Sequence, residues 1–234
     1  MNTNAFAQRF CAVGGLIFFG ILAVGWIFIA QFFPPHSPTA GAEEIAGIFS
    51  ENSLMIRVGF ALALLSLPFY VLFGAAIAAQ LRRIEGPNEV LAQSQAACAA
   101  IVAALFMIAF FIWIGLAYRP DRPAELVLAL SDIAWLILLM TTSPFIVQNI
   151  TVGIAVLTDK SADPVFPRWF GFYNFWVAVL LLPAGVICLF KTGPFAWDGI
   201  LGFWLPLIDF SVWVVIMTVL LFKAIKKQER AVGV

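Results

Sequence analysis

Acidic side chains within apolar segments are the residues of this sequence best suited to chemistry. Asp132 and Asp209 each stand inside a long apolar run, where an ionisable group is costly and usually serves a function. The run from Leu201 to Val219 contains no Lys or Arg, so we expect the Asp209 carboxyl to accept a proton readily. Two carboxyls at similar depth predict proton transfer, either to a substrate or along a transport path.

Arg57 is the cation that the apolar runs offer to these acids. It lies just inside the second run, at a depth close to that of Asp132. An aspartate has a short reach, whereas an arginine can extend its guanidinium towards the membrane surface. We therefore expect Arg57 and Asp132 to form an ion pair, which leaves Asp209 unpaired.

The fourth apolar run carries a stripe of polar side chains that are candidates for binding a substrate. At about 100° per residue, the stripe falls within an arc of about 120° on a helix. Its members are Asp132, Trp135, Thr142, Ser143 and Asn149. Two interpretations remain open: hydrogen bonds between helices, or the wall of a wet or ligand-filled path.

Trp213 extends the predicted substrate-binding set to the sixth run, one helical turn below Asp209. The π faces of Trp135 and Trp213 could stabilise a cationic intermediate. A second polar group, expected at the inner membrane interface, consists of Gln93, Gln95, Gln148, Tyr173 and Asn174.

Other kinds of chemistry find little support. The single histidine, His36, excludes sites built from several histidines, and no Cys-x-x-Cys pair occurs. Nucleotide-binding, serine-hydrolase and zinc-protease motifs are absent from the sequence. We therefore expect neither a metal site nor a cofactor.

The elements that position these residues follow from composition. Of 234 residues, 63% are hydrophobic and 11% are charged, whereas soluble domains contain about 25% charged residues. This composition excludes a soluble enzyme, a nucleic-acid binder and a disordered chain. Six apolar runs are long enough to cross a membrane as helices: about 11–33, 54–80, 96–118, 126–157, 169–190 and 200–222. The sequence predicts an all-α, six-helix transmembrane bundle forming one domain over residues 1–234.

Two features suggest further organisation. Leu65–Pro68 and Leu180–Pro183 match each other, which would fit an inverted repeat of three plus three helices. The external loop, about residues 34–53, contains a short amphipathic segment after its prolines. That segment either lies on the outer membrane surface or forms a lid over an outward cavity.

Orientation follows from the distribution of Lys and Arg. Nine of the thirteen fall on the side of the N-terminus: Arg9, Arg82, Arg83, Lys160, Arg168, Lys223, Lys226, Lys227 and Arg230. The positive-inside rule then places both termini in the cytoplasm, and we expect a bacterial inner-membrane protein. The basic tail after Phe222 would stop at the interface or attract anionic lipid.

Three functions fit these features. The leading hypothesis is a transporter or permease for a small or amphipathic solute, linked to protons through Asp209. The alternatives are an intramembrane acid–base enzyme acting on an isoprenoid- or sterol-like substrate, and a non-catalytic subunit of a larger membrane complex. The expected partners are membrane lipids and a hydrophobic or amphipathic small molecule, without nucleic acid. A homodimer or a partner membrane subunit would enlarge the small bundle.

The orientation predicts an asymmetric labelling pattern. In a chain whose native cysteines are replaced by serine, Ser37→Cys should react with a membrane-impermeant thiol reagent in intact cells, and Ser161→Cys should react only after lysis. The cysteine-free parent gives the background. The reverse pattern would overturn the orientation.

Overall fold

Residues 3–231 are described by a computed structural model, and every regular element in this range is helical. The α-helices are α1 (Thr3–Ala23), α2 (Ala42–Glu51), α3 (Ser53–Glu85), α4 (Val90–Tyr118), α5 (Ala124–Met140), α6 (Thr142–Thr158), α7 (Arg168–Leu180) and α8 (Leu205–Ala231). Irregular helical segments accompany them: π-helical turns at Val24–Ile29 and Ile200–Trp204, and a 3-10 helix at Leu182–Leu189.

Within the described range, six helical segments are long and apolar enough to cross a membrane, which confirms the predicted all-α bundle. These spans are Asn4–Ile29, Ser53–Glu85, Val90–Tyr118, Ala124–Thr158, Arg168–Leu189 and Ile200–Ala231. Each has about 20 residues or more, as a hydrocarbon core of about 30 Å requires.

Several helix ends differ from the expected boundaries. The first span begins near Asn4 rather than 11, and the last continues to Ala231 rather than 222. Hydropathy marks the part of a helix inside hydrocarbon, whereas the helix itself continues into the polar interface. The first span also ends earlier, at Ile29, because the chain then turns back into the bundle.

α3 is the central helix of the bundle. It packs along α1 on one side and α4 on the other, and it also contacts α6 and α8. The fourth span closes the ring against α4 and α7, and α8 returns to α1. Short connections between successive spans make sequence neighbours antiparallel.

Small residues allow α3 to approach its neighbours closely. Gly25 and Gly59 face each other across the α1–α3 contact, and a Cβ added to either would collide with the other's carbonyl oxygen. A Cβ on Gly74 would likewise collide with Ala99 of α4. Because lipid gives helices little hydrophobic reason to associate, such close van der Waals contact is a principal source of stability between them.

The end of the bundle opposite to the start of α1 and the end of α8, which we call the outer end, is filled by the first loop. Gln31 adopts a left-handed conformation, φ 57°, as the chain reverses after the first span. Phe32 then enters the bundle and is fully buried, with its ring centroid 4.9 Å from that of Phe60 and 5.3 Å from that of Trp113. The loop therefore contributes to the core of the fold.

α2 packs its apolar face against the protein. Both interpretations of this segment, a helix on the outer membrane surface and a lid, stay predictions. Its apolar residues Ile45 and Phe49 are buried, and the helix contacts the outer part of α5. The Phe49 ring lies 5.6 Å from that of Phe32. The apolar face of α2 is thus covered by the bundle, while Glu43 and Glu44 occupy its first turn.

At the end where α1 begins and α8 ends, which we call the inner end, polar side chains link the helices. Arg9 of α1 forms an ion pair with Glu229 of α8 at 2.6 Å. Glu85 accepts hydrogen bonds from the backbone amides of Leu91 and Ala92, at 2.8 and 2.7 Å, and so caps the start of α4. These contacts join α1 to α8 and α3 to α4 at the interface, where the apolar packing of the membrane interior ends.

The two prolines of the proposed repeat differ in their effect on the chain. Pro68 lies inside the continuous helix α3, whereas α7 ends at Leu180 and the 3-10 helix begins just before Pro183. The local conformations of the two matched segments are therefore different. The inverted repeat stays a prediction.

Candidate functional site, an intramembrane cavity

A cavity of about 110 Å³ lies between the first, third, fourth, fifth and sixth spans. It is neither sealed nor a shallow surface depression. Aromatic rings form much of its wall: Phe19, Trp26, Phe33, Phe106, Phe145, Phe203 and Phe210. The polar side chains in the lining are those of Thr141 and Thr142. This is the apolar, sparsely polar character of a small-molecule site.

The irregular segments of four spans surround this cavity. The π-helical turn of the first span contributes Trp26, and that of the sixth contributes Phe203. Leu181 stands where α7 gives way to the 3-10 helix, and Thr141 stands between α5 and α6. Helical irregularities inside a membrane are tolerated where protein buries them or where they line a cavity.

Thr142 is the one predicted substrate-binding residue that lines the cavity. Its hydroxyl is buried and has no hydrogen-bond partner among the described residues. The Thr141 hydroxyl, by contrast, donates to the backbone carbonyl of Ile137 at 2.6 Å. Thr142 is thus the available hydrogen-bonding side chain in an apolar wall.

The remaining residues of the predicted stripe do not form a continuous polar path. The fourth span is interrupted at Thr141, so the helical periodicity assumed for the stripe does not continue from α5 into α6. Ser143 is exposed on the lipid side, Asp132 is half-buried, and Trp135 and Asn149 are buried away from the cavity.

Arg57 and Asp132 do not form the expected ion pair. Within the described chain, no nitrogen of Arg57 lies within 4 Å of an Asp132 oxygen. The Arg57 Nε instead donates to the Ser53 carbonyl at 3.1 Å, and the cation that acts on Asp132 is Lys191. The expectation rested on depth along the membrane alone, which leaves the positions of the two residues around the bundle open.

Trp135 and Trp213 lie in different aromatic clusters. Trp135 belongs to the outer one, 4.8 Å from Trp113 and 6.1 Å from His36 between ring centroids. Burial there lowers the pKa of His36 against the opposing influence of Glu44, so its ring is neutral near pH 7. The two tryptophans are therefore not a pair around one ligand.

Trp213 lies beneath the cavity, next to its wall. Its ring centroid is 5.0 Å from that of Phe145, a lining residue, and its indole nitrogen donates to the Asn174 side-chain oxygen at 3.0 Å. Phe145 in turn accepts a hydrogen bond at its carbonyl from the Asn149 amide at 2.9 Å. The Phe145 ring thus separates the cavity from the buried amide side chains beneath it.

These amides form a polar layer that is buried inside the bundle. The expected position of several of them at the inner membrane interface stays a prediction. Gln95, Gln148 and Asn174 are all fully buried. Tyr70 of α3 donates from its hydroxyl to the Gln148 side-chain oxygen at 3.1 Å. Of the expected group, Gln93 is exposed. Tyr70 was missed because a single tyrosine in an apolar run resembles an interfacial anchor.

Asp209 adjoins both the cavity and the polar layer. It is 7% exposed, and its Oδ2 atom is buried without a hydrogen-bond partner in residues 3–231. Its neighbour Phe210 lines the cavity, while the Asp209 carboxyl is close enough for its charge to act on Tyr173 of α7. The Tyr173 hydroxyl is also buried and unpartnered. Two buried titratable groups, neither with a hydrogen-bond partner among the described residues, thus lie within range of each other's charge.

No family model, curated protein or solved structure matches this chain.

Two tyrosines give a matched test of the polar layer. Tyr70→Phe removes the bond to Gln148 and should lower the free energy of unfolding by about 1 kcal/mol. Tyr173→Phe removes a hydroxyl that makes no bond and should change it by less than about 0.5 kcal/mol. Unfolding of both variants in the same detergent measures the difference. Equal losses in the two variants would mean that the Tyr70–Gln148 hydrogen bond does not add to the free energy of unfolding.

Proposed function

We propose that this multi-pass membrane protein binds a small apolar or amphipathic molecule in the cavity and carries it across the membrane. The observation that carries the proposal is the gathering of irregular segments from four spans around one cavity. Transporters commonly build their binding sites from interrupted helices, because such segments can rearrange and can present free backbone groups.

The cavity defines the chemical class of the solute. An apolar cavity of about 150 Å³ can hold a benzene molecule, so the present volume of about 110 Å³ suits a group of ring size or a short branched chain. The Thr142 hydroxyl offers one hydrogen bond to an alcohol or carbonyl of the solute. A molecule with an apolar body and one polar group satisfies both features.

Asp209 is the residue that we assign to proton coupling. Its carboxyl is buried without a basic partner in the described chain, and it stands beside the cavity wall. A carboxyl that is protonated on one side of the membrane and deprotonated on the other can link solute movement to the proton gradient.

One observation favours a second candidate, an intramembrane acid–base enzyme acting on a lipid-like substrate. The Asp209 carboxyl and the Tyr173 hydroxyl are both buried without a hydrogen-bond partner in the described chain, and the charge of Asp209 acts on Tyr173, so the two could serve as an acid and its proton relay. This candidate requires that a bound molecule be chemically altered, whereas the transporter releases it unchanged.

Geraniol, an isoprenoid alcohol, is a suitable probe, because the branched five-carbon unit that carries its hydroxyl is of the size that the cavity holds and the rest of the chain can extend through the open side. At ten times its dissociation constant it should raise the free energy of unfolding of the reconstituted protein by about 1.4 kcal/mol. Ala23→Phe places a ring in the cavity and should abolish this effect, whereas Val24→Phe, on the adjacent lipid-facing position, should retain it. In proteoliposomes with a pH gradient, geraniol should accumulate above the level of protein-free vesicles, and Asp209→Asn should bind it without accumulating it.

A second, less disruptive pair of variants tests the cavity site if Ala23→Phe fails to fold. Thr142→Val removes only the cavity hydroxyl and should weaken geraniol binding about tenfold, while Ser143→Ala on the lipid side should not. If the cavity variants and the lipid-side variants bind geraniol equally well, geraniol does not bind in the cavity. Binding without accumulation, together with a change in the mass of geraniol, would favour the enzyme.

A further inference from the structure

A basic groove lies at the inner end of the bundle, far from the cavity in the membrane. We use the term for a depression of about 840 Å³ lined by Arg83, Lys223, Lys226, Lys227, Arg230 and one acid, Asp163. Its walls come from the end of α3, the α6–α7 loop and the last turns of α8. Five cationic side chains, one from α3 and four from α8, thus line the groove together with a single carboxylate.

The four basic residues of α8 share one face of the helix. Positions 223, 226, 227 and 230 fall within an arc of about 100°, so their side chains extend on the same side. The neighbouring Glu229 points elsewhere and pairs with Arg9 of α1. The helix therefore separates its acidic and basic groups, and the groove receives the basic ones.

The protein compensates only part of this positive charge, through Asp163 and through Asp159, whose charge acts on Arg83. Lys227 pairs with Asp163 and donates to the Pro164 carbonyl at 2.6 Å. Within residues 3–231, Lys223, Lys226 and Arg230 make no ion pair. Three exposed cations on one helical face repel one another unless an anion lies between them.

Arg83 is oriented by its own helix and by α8. One terminal nitrogen of its guanidinium donates to the Gln80 side-chain oxygen at 2.5 Å and to the Ala224 carbonyl at 3.2 Å. These bonds hold the guanidinium at the groove. Its other two nitrogens make no hydrogen bond to the described residues. A planar guanidinium fixed in this way is suited to phosphate.

The basic face of α8 continues into the membrane as an exposed apolar strip. Val219, Val215 and Val212 lie on the same side of the helix, at 47%, 52% and 45% exposure. A phosphate in the groove would thus have a track for hydrocarbon chains directly beside it. A lipid would occupy both the groove and the valine strip, whereas a soluble anion would occupy the groove alone.

We propose that the basic groove binds the phosphate headgroup of an anionic phospholipid, with its acyl chains along the valine strip of α8. The excess of cations over acids suits a lipid that carries two phosphates, such as cardiolipin. Basic pockets at the end of a helical bundle are the membrane-protein sites in which such headgroups are bound.

The test compares lipid and variant on the full-length protein. Adding cardiolipin to phosphatidylcholine nanodiscs should raise the unfolding temperature of the unmodified chain. Lys223→Gln with Lys226→Gln should weaken cardiolipin binding about thirtyfold, at about 1 kcal/mol for each cation. The matched control is Arg119→Gln with Lys191→Gln, which removes two exposed cations at the opposite end and should leave binding unchanged.

Inorganic phosphate in cardiolipin-free nanodiscs forms the second arm, and it should give no stabilisation. If phosphate raises the unfolding temperature as cardiolipin does, the groove binds a soluble anion and the lipid assignment is wrong. If cardiolipin has no effect, or if the control variant loses binding equally, the groove is not the site. Because the substituted lysines are exposed, the variant should fold normally, which its unfolding temperature in phosphatidylcholine alone verifies.

Discussion

The lack of water in the hydrocarbon interior is the constraint on which this structure depends. Backbone amides and carbonyls there must find partners within the protein, so an interrupted helix needs a protein-lined environment. α3 and α4 are continuous, and close contacts through Gly59 and Gly74 join them to α1 and to each other. The spans that are interrupted instead meet around the cavity. α4 completes the cavity wall, whereas α3 contributes none of the described lining residues, so the irregular segments are separated from the central helix.

This separation gives the proposed site two layers of different polarity. Aromatic rings form the wall of the cavity, and a layer of buried amides with Asp209 lies beside and below it. Towards the outer end, Phe32 and α2 fill the space between the spans. An amphipathic solute would therefore find apolar surroundings for its body and polar groups within a short distance, without contact with bulk water.

Much of the fold could be predicted from sequence, because the length of an apolar run directly reflects the thickness of the membrane. The buried, unpaired position of Asp209 also followed from its own run, which contains no cation. The Arg57–Asp132 pair failed because depth along the membrane says nothing about position around the bundle. The cavity could not be predicted either, since its apolar wall is indistinguishable in sequence from packed core.

The stripe on the fourth span failed for a local reason. A periodicity of 3.6 residues holds only while a helix is continuous, and the fourth span is interrupted at Thr141 between α5 and α6. Thr142 lines the cavity, while Ser143 beside it is exposed. Pro144, two residues after the polar Thr142, was the signal for this change, although sequence alone could not give its direction.

The most direct test of the central claim is to locate a bound solute by photolabelling. A diazirine analogue of geraniol is irradiated with the protein in nanodiscs, and the modified residues are mapped by mass spectrometry. If geraniol occupies the cavity, the adducts lie on the cavity wall, at Phe145 and Phe210, and excess geraniol suppresses them. Adducts confined to lipid-facing residues such as Val215, and insensitive to geraniol, would contradict the central claim.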